Sequence, residues 1–271
     1  MRIIRIFRHF RSVVLISRDV CRAASKERLM YGFLLLALLF ILLANVPFMI
    51  NDPKLLDGQS PSVAAVQIGF VSINIFTILI AVFVSLSTLQ SFLSRDSLIL
   101  LLSKPVKRWQ VLEGVVLGLF EMLFMNWFLM TMGVWLVFVS QTRSLGFFLW
   151  TGMSVTALMA FLYVNLIVFF YCLIPNAMAG IFAVLLIIAG FGVPLAHQAF
   201  NSAEYPVFIR GLFHLTLNIL PQINSLWGLS MQQLALFDLK INGAPIVLQT
   251  FAVIAILNLI SCARFRRLSR T

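Results

Sequence analysis

Acidic residues, histidine and cysteine are all scarce in this chain, and each scarcity removes a class of chemistry. There are 9 acidic residues, 3 histidines and 3 cysteines in 271 positions. His9, His197 and His214 lie far apart, and Cys21, Cys172 and Cys262 share no metal-ligand spacing, so no zinc-type cluster can be read from them. No G-x-x-x-x-G-K-[ST] phosphate loop occurs, so the chain has no P-loop cradle for ATP. H-E-x-x-H and G-x-S-x-G are equally lacking, which leaves an intramembrane enzyme poorly supported.

Apolar surface is abundant instead. With 61% apolar and 11% charged residues and a mean hydropathy of +1.02, the chain cannot hide its hydrophobic groups inside one water-soluble globule. A bilayer core of about 30 Å takes roughly 20 apolar residues per helical crossing, and lipid leaves no partner for an open sheet edge. Ten-residue alternating strands of the barrel kind do not occur. The expected fold is therefore an all-α polytopic membrane protein, a single transmembrane domain over 1–271. Six transmembrane helices are expected at 29–50, 63–94, 112–139, 147–174, 177–199 and 245–263. The first is too long for a signal-peptide core and precedes no A-x-A-type site, so it reads as a retained span.

Basic residues set the orientation. Eight of the 20 lie in residues 1–28, four in the 95–111 connection (Arg95, Lys104, Lys107, Arg108) and four in the 264–271 tail. The opposite side carries only Lys54, Arg143, Arg210 and Lys240. The positive-inside rule then places both termini in the cytoplasm. On this topology the cysteines fall inside or within the membrane, where a disulfide scaffold is not expected. The net charge of +11 is spread over three membrane-proximal segments, which fits anionic lipid headgroups and argues against nucleic acid.

Residues 1–28 have a second property. On a helical wheel Ile3, Ile6, Phe7, Phe10, Val13 and Val14 share an arc of about 120°, with arginines over most of the remainder. This predicts an amphipathic helix at the inner membrane surface, with Arg5, Arg8, Arg11, Arg18 and Arg22 as its interface residues. A purely topogenic charge cluster is the plainer reading of the same residues. Between the second and third spans, Leu98 to Leu102 can form a short helix that Pro105 ends, and Lys107, Arg108 and Trp109 anchor the third span at the interface.

Here the sequence resembles a known family. Ser97-Leu98, Leu100-Leu101-Leu102-Ser103-Lys104-Pro105-Val106, Arg108-Trp109, Gly114 and Gly118 are similar to the segment joining the second and third spans of ABC-2 type transporter permeases. The layout is similar as well: an amphipathic start, six spans, a short turn at Ile174-Pro175-Asn176, and a long outer segment, 200–244, containing NILPQIN. The resemblance implies a type V exporter-like permease with a cytoplasmic coupling helix between the second and third spans and short outer-leaflet helices between the fifth and sixth. It implies that Arg95, Asp96, Ser97, Leu98, Leu101, Ser103, Lys104, Pro105, Lys107 and Arg108 meet an ATPase. The family often has acidic residues before and inside the connecting helix and a lysine after the first glycine of the third span. Here Arg95-Asp96, Ile99 and Val115 stand there, which points to a dedicated ATPase.

The expected partners are two cytoplasmic ABC ATPase subunits, a second permease copy or homologous permease, and lipids. ATP and Mg would be bound by the ATPases and no cofactor by this chain, which is not expected to be an enzyme. The expected location is the plasma (inner) membrane of a prokaryote. A nucleotide-independent secondary transporter or channel, or an ABC-type subunit dedicated to assembly of an extracytoplasmic enzyme or surface structure, is the alternative.

Glu121, two turns after Glu113, reads as the one acid deep in an apolar run, so it should face protein or water. It is expected in a pathway or at a helix or subunit interface, with Asn126, Asn74 or Asn165 as hydrogen-bond partners. Gly114, Gly118 and Gly133 along the third span, and Gly180, Gly190 and Gly192 along the fifth, allow close helix approach.

Overall fold

A computed structural model of the chain describes residues 2–43, 61–92, 106–143, 145–146, 148–174, 178–202, 223–233 and 243–268. Among these the protein is all-helical. The helices are α1 (Arg2–Ala24), α2 (Arg28–Leu43), α3 (Pro61–Phe92), α4 (Arg108–Thr142), α5 (Phe148–Leu173), α6 (Met178–Ser202), α7 (Ile223–Gln233) and α8 (Gly243–Leu268).

Four of them, α3, α4, α5 and α8, contain stretches long and apolar enough to cross a membrane: Ala65–Phe92, Arg108–Ser140, Gly152–Leu173 and Gly243–Phe265. Two further apolar stretches, Arg28–Leu43 and Met178–Phe191, are shorter. A helical membrane protein is thus the architecture.

The core is the mutual packing of α3, α4 and α5. Its buried side chains are almost wholly aliphatic or aromatic, among them Phe70, Ile73 and Ile80 of α3, Leu119, Leu123 and Met130 of α4, and Leu162, Tyr163 and Ile167 of α5. Small residues set how closely these helices approach. A Cβ on Gly69 would stand 2.7 Å from Val134 Cγ2, so the Val134 side chain of α4 packs into the space left at Gly69 of α3. The Trp127 indole of α4 donates to Thr156 Oγ1 of α5 at 2.6 Å, which fixes their register in a buried setting.

Helix ends are set locally. Lys107 is extended (φ −75°, ψ 141°) and its N–H donates to Gln110 Oε1 at 2.8 Å, so one of the donors at the start of α4 is satisfied by its own first turn. At the other end Arg143 adopts the left-handed conformation (φ 53°) and its N–H closes on the Val139 carbonyl at 2.9 Å. Trp135 donates from its indole to the Leu145 carbonyl at 2.8 Å, and its ring lies 6.3 Å from Trp150. Indoles at this end of α4 and α5 suit a membrane–water boundary.

Of the 200–244 segment, the short helix α7 lies among the described residues, and it packs into the bundle. Ile223, Leu226, Leu229 and Ser230 are buried, Ser230 hydrogen-bonds the Gly152 carbonyl of α5, and Trp227 lies edge-on to Phe70 (5.0 Å) and Phe191 (5.7 Å).

Candidate functional site

The end of the bundle where α4 begins gathers the predicted basic elements. Its organising feature is α1, which packs more extensively on α4 than any other pair of helices packs in the described structure. Val13, Ile16, Ser17, Val20 and Ala24 are buried, at helical spacing, and form the docking stripe. Gly114 and Gly118 receive it. A Cβ on Gly114 would lie 2.7 Å from Ile16 Cβ, and one on Gly118 would lie 2.5 Å from the Ser17 carbonyl oxygen and 2.7 Å from Val20 Cβ. Contact advances by four residues on both helices, so α1 and α4 run side by side in the same direction, backbone nearly against backbone.

This changes the reading of the amphipathic arc. The wheel grouped Val13 with Val14 as one apolar face, yet Val13 is buried and Val14 is 44% exposed. The face of α1 is cut to fit α4, and Val14 and Leu15 are left exposed. Arg11, Arg18 and Arg22 are exposed at spacings of seven and four, a single stripe turned away from α4. Arg5 and Arg8 lie on α1, and their side chains are outside the described residues. So are Arg95, Asp96, Ser97, Leu98, Leu101, Ser103, Lys104 and Pro105, and with them the expected coupling helix. Lys107 is exposed at the cap of α4 and Arg108 is half-buried in its first turn.

Between α1 and α2 the chain turns through Ser25 and Lys26. The Ser25 hydroxyl closes on the Arg22 carbonyl at 3.0 Å, and Ser87 of α3 donates to Glu27 Oε1 at 2.6 Å, which ties this elbow to the core. Beyond it α2 continues along α4, where Ile41 and Leu38 meet Gly133 at ordinary contact distance.

Glu121 sits beside this elbow. Its side chain is exposed, and among the described residues it has no ion-pair partner. Its charge reaches Cys21 of α1, whose thiol is pushed above the ordinary cysteine range, first by burial and then by that carboxylate. Arg22, Lys26 and Arg28 are exposed along the same part of the bundle. A helix of 35 residues is about 52 Å long, some 20 Å more than a hydrocarbon core of about 30 Å, so α4 has length to stand outside it. Glu121 thus lies on the outer face of α4, next to Cys21 of α1.

The three asparagines expected to partner Glu121 do something else. Asn74, Asn126 and Asn165 are buried, and each donates its amide to the carbonyl four residues earlier in its own helix: Phe70, Met122 and Phe161, at 2.9, 3.0 and 2.8 Å. None is brought to Glu121. They sit in the α3–α4–α5 core, where Asn126 Oδ1, Thr77 Oγ1, Thr131 Oγ1 and the Tyr163 hydroxyl are buried without a hydrogen-bond partner.

The acid that does join helices is Glu113. Asn258 of α8 donates to Glu113 Oε2 at 3.2 Å, and the Cys262 thiol lies 3.8 Å from Oε1. The sequence carried a signal for this. Asn258 and Cys262 are four residues apart, hence on one face of an otherwise apolar last span. A single turn of α4 therefore faces two ways, with Gly114 against α1 and Glu113 against α8.

Among the described residues no group of three or more histidine, cysteine or acidic side chains could hold a metal ion. At the far end an open groove of about 660 Å³ lies between α5, α7 and α8, lined in part by Ser154, Leu229, Val247, Leu248 and Phe251. The chain matches no protein-family model and no curated protein.

Proposed function

We propose that this chain is the membrane-embedded permease subunit of an ATP-binding-cassette exporter, driven by separate ATPase subunits. The observation that carries the reading is the seating of α1 on Gly114 and Gly118. It puts a basic amphipathic helix in backbone-close contact with the helix that follows the 95–108 connection, so force applied to either element is passed to α4 without an intervening loop. A helix held only by lipid would slide; one packed on a bare glycine strip acts as part of a lever.

In this reading the basic end is cytoplasmic in a prokaryotic plasma membrane, and α2 and α6 complete six crossings with the four longer helices. Exposed Arg11, Arg18, Arg22 and Lys107 face headgroups and an ATPase groove together with Arg95 to Pro105. The ATPases bind ATP and Mg, two permease copies or a homologous pair complete the transporter, and closure of the ATPases rocks the bundles to open a path outward.

Purification in mild detergent, with identification of what co-elutes, tests this. A stoichiometric ATPase is expected. Charge reversal at Lys104 with proline insertion at Ser97 should then uncouple ATP hydrolysis from the conformational cycle while insertion in the membrane is unchanged. Full activity from the isolated chain in vesicles without any nucleotide-binding partner would instead favour a secondary transporter or channel.

A further inference from the structure

The elbow between α1 and α2 sorts its charges by sign. Glu27, its one acid, is turned inward, where it accepts the Ser87 hydroxyl of α3. Arg22, Lys26 and Arg28 are exposed, and among the described residues none of them has an ion-pair partner. The turn that carries them is well bonded: the Ser25, Lys26 and Glu27 N–H groups close on the carbonyls of Cys21, Ala23 and Ala24 at 2.9, 3.1 and 3.2 Å. Two exposed acids belong to the same region, Asp19 of α1 and, beside Cys21, Glu121 of α4, and neither pairs with the three cations. The elbow therefore presents uncompensated positive charge outward.

The positive charge runs directly into an apolar ridge. Arg28, Gly32, Leu35, Leu39 and Leu42 follow one another along α2 at intervals of three or four residues and so share one face, and all five are exposed. The side of α2 turned to the bundle is marked by buried Met30, Ala37 and Ile41. At Gly32 a Cβ would meet nothing within 4 Å, so the glycine is no packing requirement, and its bare backbone leaves a shallow step between the charged end and the leucines. Tyr31 is exposed beside that step, with the amphipathic ring that prefers a membrane–water boundary. From Arg28 to Leu42 the face runs about 21 Å, enough to accompany an acyl chain through one leaflet of about 15 Å of hydrocarbon.

We propose that the elbow and the outward face of α2 hold an anionic phospholipid. Its phosphate lies on Lys26 and Arg28 with Arg22 adjoining, its glycerol beside Tyr31, and one acyl chain along Gly32, Leu35, Leu39 and Leu42. Charge complementarity selects the headgroup, because the one acid of the elbow is engaged with the core while the cations face out. The leucine face selects a lipid over a free phosphate, because the charged end continues without interruption into surface that hydrocarbon covers well. Such a lipid braces the elbow from outside, as the Ser87–Glu27 bond braces it from within. The site requires a membrane and no ATPase, so it stands apart from the transport reading.

The full-length protein is equilibrated in mild detergent with equal amounts of phosphatidylglycerol and phosphatidylcholine carrying identical acyl chains, and retained lipid is read by native mass spectrometry. Phosphatidylglycerol should be kept in preference. Lys26→Gln with Arg28→Gln should cut that preference by at least about fivefold, the effect of one cation at an anionic surface. Lys26→Arg with Arg28→Lys should keep it, and so should Arg143→Gln, which removes an exposed cation at the opposite end of α4. Gly32→Trp fills the step without meeting a neighbour, so the thermal midpoint should hold while retained phosphatidylglycerol falls by a factor of roughly four, the equivalent of one unseated methylene. Glycerol phosphate, a headgroup with no chain, should displace none of the lipid. Equal retention of the two lipids, a preference that survives Lys26→Gln with Arg28→Gln, or one that falls as far in Arg143→Gln overturns the site. Unchanged retention in Gly32→Trp, or displacement by glycerol phosphate, overturns it as well. Loss of a co-purified protein in place of phosphatidylglycerol from Lys26→Gln with Arg28→Gln would assign the elbow to a protein partner and likewise end the lipid proposal.

Discussion

Substituting alanine for Gly118 tests the docking of α1 most directly. The new Cβ would stand 2.5 Å from the Ser17 carbonyl oxygen and 2.7 Å from Val20 Cβ, against an ordinary contact distance beginning at 3.4 Å. Backbone cannot rotate away as a long side chain can, so α1 has to retreat by about 0.9 Å, a gap that forfeits roughly a quarter to a half of each opposed dispersion contact. Overpacking of this kind costs about 1–3 kcal/mol, and alanine's helix propensity returns up to about 1 kcal/mol. The expected net loss is about 1–2 kcal/mol, or roughly a 5- to 30-fold larger population of undocked α1. Gly133 is the matched control on the same helix, because a Cβ there meets Ile41 at 3.5 Å and needs no movement. Limited trypsinolysis in detergent reads the difference, since Arg11, Arg18 and Arg22 are exposed but must leave the helical conformation to be cut. Cleavage within α1 should accelerate by that factor in Gly118→Ala and stay at the parent rate in Gly133→Ala. Equal resistance in the two variants would refute the close backbone approach.

Three further outcomes are expected. Glu121→Gln removes the negative charge that helps hold the Cys21 thiol in its protonated form, so the thiol titrates at lower pH, and at pH 8 maleimide should label Cys21 faster than in the parent; a slower or unchanged rate would place Glu121 elsewhere. Thr156→Val leaves the Trp127 indole donor buried and unpaired at a cost of about 1–3 kcal/mol, seen as a lower thermal midpoint in detergent, with Thr156→Ser recovering most of it. Tyr163→Phe deletes a fully buried hydroxyl that has no partner, so the midpoint should hold or rise, and a fall of several degrees would show that the hydroxyl is bonded.

Hydropathy made the long helices legible because a span is a property of composition, and lipid rewards composition alone. Helix faces were less legible. Glu113 and Glu121 are eight residues apart and so lie about 80° apart around α4. Which of them meets a neighbour depends on where α8 and α1 happen to stand, and that is decided by packing partners distant in sequence. The apolar arc of α1 was read in the same way and missed in the same way. Val13 and Val14 are chemically alike, and only the position of the Gly114–Gly118 strip makes one of them core and the other surface. The glycines themselves were visible, since a helix facing lipid gains nothing from losing a side chain, whereas one facing a second backbone gains contact.

The distribution of polar groups completes the mechanical picture. In the α3–α4–α5 core the asparagines bond inward to their own helices, at Phe70, Met122 and Phe161, so they stiffen each helix without tying it to its neighbours. Bonds between elements that draw on a carboxylate are found at the basic end, Ser87 to Glu27 at the elbow and Asn258 to Glu113 at the last helix. Such bonds are stronger than neutral ones and more sensitive to a change of donor or charge. The apolar core therefore acts as the fixed body, held by area and shape. Its adjustable attachments lie where α1 and the basic connection enter the fold. At that end Glu113 also carries the bond to the least buried of the four long helices.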